Sequence, residues 1–244
     1  MIAPALDMAS GPDQHIAQIR HGDTILATLY LGDAYAIRPR LGWMDCDCMD
    51  PPYILNTSGG GRFRKSRTML EEITEAGIDK GFDHSIINPL LCGALICFCS
   101  NDQLPGLLPL VSGQFHRFAL LDWTKPNPTP MANKHYRPDR EFYIHAWDRG
   151  YHPQGELADK ARSITASSDR KLRRQYGHPT IKPAAVMDKI MRNVAGETVC
   201  DPFMGTGSTG VAAIKAGKRF YGIERDPKWF DVAVERISEA VAAL

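Results

Sequence analysis

Asp201-Pro202-Phe203-Met204-Gly205-Thr206-Gly207-Ser208-Thr209-Gly210 is the stretch that decides the fold. The apolar Thr198-Val199-Cys200 precedes it and Val211-Ala212-Ala213-Ile214 follows it, so the glycines mark a tight turn from a strand into a helix. Backbone N–H groups at such a turn point toward any ligand seated on the helix N-terminus. Gly205, Gly207 and Gly210 spell GxGxxG, a spacing compatible with NAD, FAD or S-adenosylmethionine. Glu224 ends the next strand-like run, Arg219-Phe220-Tyr221-Gly222-Ile223, where an acid can accept two hydrogen bonds from ribose hydroxyls.

Outward from this turn, strand and helix patterns alternate. Strands are predicted over Leu26 to Leu31, Trp43 to Met49, Ala94 to Cys99, Phe118 to Trp123, Glu141 to Ala146, Thr198 to Phe203 and Arg219 to Ile223. Helices are predicted over Thr68 to Ala76, Gln103 to Leu110, Ala184 to Arg192, Ser208 to Ala216 and Lys228 to Ala240. The alternation implies an α/β fold, a mostly parallel sheet with helices on both faces. Phe118 to Ala146 departs from it, because Pro126, Pro128 and Pro130 forbid a helix between the two strands. An antiparallel edge pair joined by a stiff loop is expected there. From 148 to 177 the apolar periodicity fades into Gly150, Pro153, Gly155, Ser163, Ser167 and Ser168, which reads as a small insertion or loop region within a single domain covering 1–244.

A chain of 244 residues suits one α/β domain with a full core and is short for two. Hydrophobic content of 43% and charged content of 23% exclude disorder as the default. The longest wholly apolar run, Ala94 to Cys99, cannot span a bilayer, and the first residues carry Asp7 and no basic run, so a cytosolic chain without a membrane partner is expected. With a net charge of +1, nucleic-acid binding would have to come from local asymmetry. Two clusters supply it: Arg62, Arg64, Lys65 and Arg67 after Gly59-Gly60-Gly61, and Lys160, Arg162, Arg170, Lys171, Arg173 and Arg174. The six cysteines include Cys46-Asp47-Cys48 and Cys97-Phe98-Cys99. C-x-C inside an apolar strand differs from the turn-borne C-x₂₋₄-C of structural zinc, so buried small side chains and no metal are expected. Asp47, in an otherwise buried strand, would face a polar pocket.

A second motif, Asp50-Pro51-Pro52-Tyr53, follows the strand Trp43 to Met49. It offers a carboxylate, a carbonyl with no competing N–H, and an aromatic plane, the three things needed to hold a flat base by an exocyclic amine. Asp-Pro-Pro is also a common rigid turn, and the glycine motif downstream is what favours chemistry. Only about one helix remains after Glu224, whereas a dinucleotide-binding domain continues with further strands, so a nicotinamide enzyme would need a permuted sheet.

Both motifs, in this order, resemble the beta class of DNA amino-methyltransferases, in which the catalytic half precedes the cofactor half. Gly32-Asp33, Asp50 to Tyr53, Trp123-Thr124-Lys125-Pro126, Glu141-Phe142-Tyr143, His178-Pro179-Thr180-Ile181-Lys182-Pro183, Asp201 to Gly210 and Tyr221 to Glu224 match in sequence, nearly end to end. The resemblance implies a Rossmann-like methyltransferase fold in permuted order and S-adenosylmethionine as cofactor. That cofactor would be held by Asp33 on its adenine side, Thr180 and Lys182 near its methionine end, and Asp201, Phe203, Gly205, Gly207, Ser208 and Glu224. It implies a catalytic set Asp50, Pro51, Pro52 and Tyr53 acting on adenine N6 of a base turned out of double-stranded DNA, with cytosine N4 as the alternative. DNA contacts would fall to Arg62, Arg64, Lys65, Lys125, Arg170, Lys171, Arg173 and Arg174, with 148–177 as the recognition segment. So small a segment fits a homodimer on a symmetric site, in a bacterial or phage-encoded protein. RNA or protein-glutamine methylation, a permuted NAD-dependent oxidoreductase and a non-catalytic DNA-binding relative remain open on the sequence.

Overall fold

The computed structural model describes residues 15–53, 81–128, 136–177 and 181–244. The helix expected over Thr68 to Ala76, together with Arg62, Arg64, Lys65 and Thr180, lies outside the described residues. The described strands form one nine-stranded sheet: β1 His15–His21, β2 Thr24–Leu31, β3 Met44–Met49, β4 Cys92–Cys99, β5 Arg117–Thr124, β6 Arg140–Trp147, β7 Ser163–Thr165, β8 Thr198–Asp201 and β9 Arg219–Glu224. The described helices are α1 Ala34–Ile37, α2 Leu104–Gln114, α3 Arg170–Tyr176, α4 Ala184–Asn193, α5 Ser208–Lys215 and α6 Pro227–Ala242. Across the sheet the order is β1-β2-β9-β8-β3-β4-β6-β5-β7.

Strands β2, β9, β8, β3 and β4 run parallel, the arrangement that the alternating pattern predicts. The β5–β6 hairpin is antiparallel as expected, yet it is not at the edge. β6 inserts between β4 and β5, and β7 pairs with β5 on the outside. That last strand comes from the stretch read as an insertion. Ser-Ile-Thr is too short to show a period, but Asp122 N donates to Arg162 O at 2.9 Å, Ala166 N to Thr124 O at 3.1 Å and Trp123 Nε1 to Ala166 O at 2.7 Å. β1 also escaped the sequence reading, because it is a polar edge strand that buries little beyond Ile19. Gly22, at φ 56°, closes its hairpin with β2.

Helices α4, α5 and α6 cover one face over Cys46, Cys48, Ile96, Phe98 and Val199; α1 and α2 cover the other over Leu95, Cys97, Cys99 and Ile144. β4, covered on both faces, therefore reads as a continuous apolar run, whereas β3 carries the half-buried Asp45 and the buried Asp47 among its apolar residues. All six cysteines are buried and free. Asp47 meets the buried Arg38, whose Nε lies 3.0 Å from both carboxylate oxygens. The remaining guanidinium nitrogens of Arg38 donate to Gly42 O and Leu91 O, each at 2.8 Å. Burial pushes Asp47 up to about 6 against the pull of Arg38.

The carboxyl ends of the parallel strands share one rim of the sheet. β6 runs the other way and so begins on that rim. Ligands in open α/β sheets bind beyond such carboxyl ends.

Candidate active site

At the centre of the rim, β8 ends in Asp201 and the chain turns through the glycines into α5. Gly205 has φ 52° and Gly207 φ 78°, conformations that disfavour any Cβ. Gly210 serves packing instead, since a Cβ there would overlap Ile237 of α6 and Phe220 of β9. Both Asp201 oxygens are used within the turn: Oδ1 accepts from Phe203 N at 2.9 Å and Oδ2 from Thr209 Oγ1 at 2.6 Å. Burial pushes this carboxyl up to about 7. Asp201 thus shapes the loop from below. Arg236, buried on α6, braces the same loop through Thr206 Oγ1 at 2.9 Å and Ser208 Oγ at 3.4 Å. The sequence reading missed it, because its helix reads only as an amphipathic C-terminal segment.

Glu224, at the end of β9, accepts from Gly205 N through Oε2 and from Asp226 N through Oε1, each at 2.8 Å. Burial raises its pKa, and these backbone donors oppose the rise. A carboxylate offers about four acceptor positions, so Glu224 can hold the loop and still receive a hydroxyl donor. Asp33, beyond β2, caps α1 by accepting from Tyr35 N at 3.1 Å. Phe203 meets Tyr35 and Phe82 edge to face, with centroids 6.1 and 6.2 Å apart. The three rings form an apolar wall between Asp33 and the glycine turn. Tyr35 and Phe82 carried no motif; only the folded chain brings them to Phe203.

Beside this site, Asp50 stands at the end of β3, next to β8 in the sheet. Gln103, buried, donates Nε2 to Pro52 O at 3.1 Å and so fixes the turn of Asp50-Pro51-Pro52-Tyr53. A Ser100–Gln103 capping box holds Gln103 in turn. Tyr53 Oη donates to Asp50 Oδ1 at 2.9 Å. Lys182, just before α4, reaches Asp50 Oδ2 at 2.6 Å, Tyr53 Oη at 3.2 Å and Glu141 Oε2 at 3.1 Å. Its ammonium also lies 4.7 Å from the centroid of the Phe98 ring and 5.3 Å from that of Tyr53. The resemblance had put Lys182 near a cofactor's methionine end; the structure pairs it with the Asp50 carboxylate.

Glu141, the second residue of β6, completes the cluster. Lys125, at the end of β5, contacts its Oε1 at 2.6 Å. Burial works against the charge of Glu141, but Lys182 and Lys125 outweigh it and hold the carboxyl at about 2. For Asp50 the balance goes the other way: burial, helped by Glu141, raises it although Lys182 pulls it down. Lys182 stays above its ordinary value, because the two carboxylates overcome its burial. Lys125, expected on DNA, is thus the outer end of a chain of charges that starts at Asp50.

The basic stretch is ordered around α3. Asp169 caps the helix by accepting from Leu172 N at 2.9 Å, and Gly177 closes it in the left-handed conformation. Lys171 and Arg174 are exposed and Arg173 is half-buried. Tyr176 receives the Arg236 guanidinium 5.6 Å from its ring centroid, so α3 sits beside the glycine loop and not at a distance from the site. Among the described residues no helix is long and apolar enough to cross a membrane, and no cluster of three or more metal-ligating side chains occurs.

Comparison with known proteins agrees with this geometry. Residues 92–235 match the N6_N4_Mtase model, described as DNA methylase. The Type II methyltransferase M2.LlaDCHI of Lactococcus lactis subsp. cremoris is 26% identical over 233 residues, 80% of this chain and 82% of that protein. M2.DpnII of Streptococcus pneumoniae is 27% identical over 135 residues, 48% of this chain and 49% of its own. Among solved structures, M1.HpyAVI in complex with SAM superposes with a TM-score of 0.60 at 25% identity, over 86% of this chain and 99% of that one. The PvuII cytosine-N4-specific DNA methyltransferase shares the fold with a TM-score of 0.58 at 13% identity, over 88% of this chain and 91% of its own. A parallel sheet with the glycine turn on one central strand, an Asp-Pro-Pro-Tyr turn on its neighbour and a family match across more than half the sequence place this chain in the N6_N4_Mtase family of DNA methylases.

Proposed function

We propose that the protein is a site-specific DNA methyltransferase that moves a methyl group from S-adenosylmethionine to N6 of an adenine turned out of the duplex. The observation that carries this reading is the adjacency of the two motifs. Asp50 and Tyr53 leave β3 on the same rim where β8 delivers the glycine turn. The cofactor supplies a methyl already activated by a positive sulfur. Its binding groups fit: Glu224 has acceptor capacity for hydroxyls, the Tyr35, Phe82 and Phe203 rings offer a wall for a flat base, and Asp33 stands beside them.

The chain's own residues supply orientation. An exocyclic amine is a weak nucleophile because its lone pair is delocalised into the ring. Accepting from both of its N–H groups, through the Asp50 carboxylate and the Pro51 carbonyl, returns electron density to nitrogen and aims it. Tyr53 stacks on the base and Gln103 keeps the turn rigid. The amine sheds one proton on methylation, and Asp50, raised by burial, lies at the atom that loses it. Adenine is preferred over cytosine because the aspartate form of the motif leans that way in the resembling family. The exposed Lys171 and Arg174 of α3 suit phosphate contact, and a homodimer on a symmetric site suits so short a recognition segment. The test is to incubate unmethylated DNA with the protein and isotope-labelled cofactor, digest it and identify the nucleoside by mass. Labelled N6-methyladenine is expected; labelled N4-methylcytosine would move the target to the other amine, and no labelled nucleoside would overturn the reading.

A further inference from the structure

The Lys182 ammonium holds the position that the target amine needs. It donates to Asp50 Oδ2 at 2.6 Å, is within hydrogen-bond reach of Tyr53 Oη at 3.2 Å, and stands 5.3 Å from the centroid of the ring on which the base would stack. A nitrogen donor bonded to Asp50 and set against Tyr53 is, in chemical terms, a stand-in for the exocyclic amine. It is also almost fully enclosed, at 6% exposure, so it cannot simply swing into water. Among the described residues, the other carboxylate it pairs with is Glu141, already 3.1 Å away and anchored from its far side by Lys125 at 2.6 Å.

Resting on the proposed reading of this site, we infer that Glu141 is a positioning residue that draws Lys182 off Asp50 when the target base enters. Lys182 masks Asp50 in this structure. As the amine arrives, one donor replaces another on Asp50, while the ammonium keeps a full counter-charge on Glu141. The exchange leaves no buried cation unpaired, and Asp50 gives up its ion pair but keeps the Tyr53 hydrogen bond and gains one from the amine. Lys125 holds the Glu141 side chain in place so that Lys182 moves and Glu141 does not. No proton or electron is transferred in this step; one hydrogen bond to Asp50 breaks and another forms.

The test uses the full chain and a duplex bearing 2-aminopurine at the methylated position, or pyrrolocytosine if that position proves to be cytosine, after sequencing of the methylated product has located it. Fluorescence then reports base extrusion without added cofactor, and single-turnover methylation is measured alongside. For Glu141→Gln, the expected result is at least about fivefold weaker extrusion with transfer reduced in proportion, because Lys182 stays on Asp50. Glu141→Asp should recover part of it. The double variant Glu141→Gln with Lys182→Met should recover extrusion, since the competitor is gone, whatever its turnover. Melting temperatures identify a variant that fails to fold, and the Glu141→Asp and double-variant responses then decide. Extrusion in Glu141→Gln equal to that of the unaltered protein, or no recovery in the double variant, would overturn the inference. Absence of methylation by the unaltered protein would instead overturn the functional reading on which it rests.

Discussion

At the scale of single residues, Glu224 shows one carboxylate with two tasks. It clamps the glycine turn through Gly205 N and keeps spare acceptor positions for a ligand. Glu224→Ala should weaken S-adenosylmethionine binding by roughly 1–3 kcal/mol, read by calorimetry. Unchanged affinity would remove Glu224 from the cofactor site. Asp50, Tyr53 and Glu224 were legible because each belongs to a short linear motif placed at a strand end. Glu141 was visible only as part of a family match, without a role. Its partners Lys125 and Lys182 come from other segments, and only the reversed direction of β6 brings its first residues to the rim. Asp47 likewise looked anomalous until Arg38, nine positions away and poised by the turn after α1, supplied its counter-charge.

At the scale of elements, the long helices α4, α5 and α6 were predicted to within one or two residues, because apolar periodicity over two or more turns is hard to mistake. The short polar strands β1 and β7 were not, since seven and three residues at a sheet edge carry almost no periodic signal. The glycine turn has little tolerance for added side chains. Gly207→Ala would put a Cβ 3.1 Å from both Ala233 and Ile237 while holding φ at 78°. A loss of about 1–3 kcal/mol in stability is expected, measured by denaturant unfolding, with weaker cofactor binding alongside. Stability equal to that of the unaltered protein would show that the turn relaxes freely. For α3, neutralising Arg170, Lys171, Arg173 and Arg174 together should lower DNA affinity and flatten its salt dependence, because each lost phosphate contact releases about one fewer counterion. Cofactor binding should survive. An unchanged salt slope would mark the helix as a solvated surface and direct attention to Arg62, Arg64 and Lys65.

At the scale of the whole molecule, two motifs about 150 positions apart meet because β3 and β8 pair in parallel, Asp47 beside Cys200. The sequence order, catalytic motif first and cofactor motif last, becomes lateral adjacency in the sheet. That outcome was inferable from the resemblance, but not from strand patterns, which do not state which strands are neighbours.

Stability should respond to pH in two stages. Asp47, at about 6, and Asp201, at about 7, have folded pKa values above the ordinary 3.8, so the folded state takes up protons first and gains stability as pH falls toward 4. His145, which burial holds at about 4, acts oppositely: its contribution is complete above 6.5 and is lost as pH falls through 4. Glu141, at about 2, contributes above 4.5 and loses that contribution as pH falls toward 2. Two carboxylates outweigh one histidine, so stability in urea should be greater at pH 5 than at pH 8 and should drop below about pH 4. Asp201→Asn should remove much of the gain between pH 8 and 5. A steady fall from pH 8 downward would contradict this balance.

The central claim is that Asp50 acts on the target amine and not on the cofactor. Its most direct test is single-turnover transfer of labelled methyl to DNA by Asp50→Ala, with cofactor affinity measured on the same preparation. We expect transfer to fall by at least about a thousandfold while S-adenosylmethionine affinity stays within about twofold. Near-normal transfer by Asp50→Ala would contradict it.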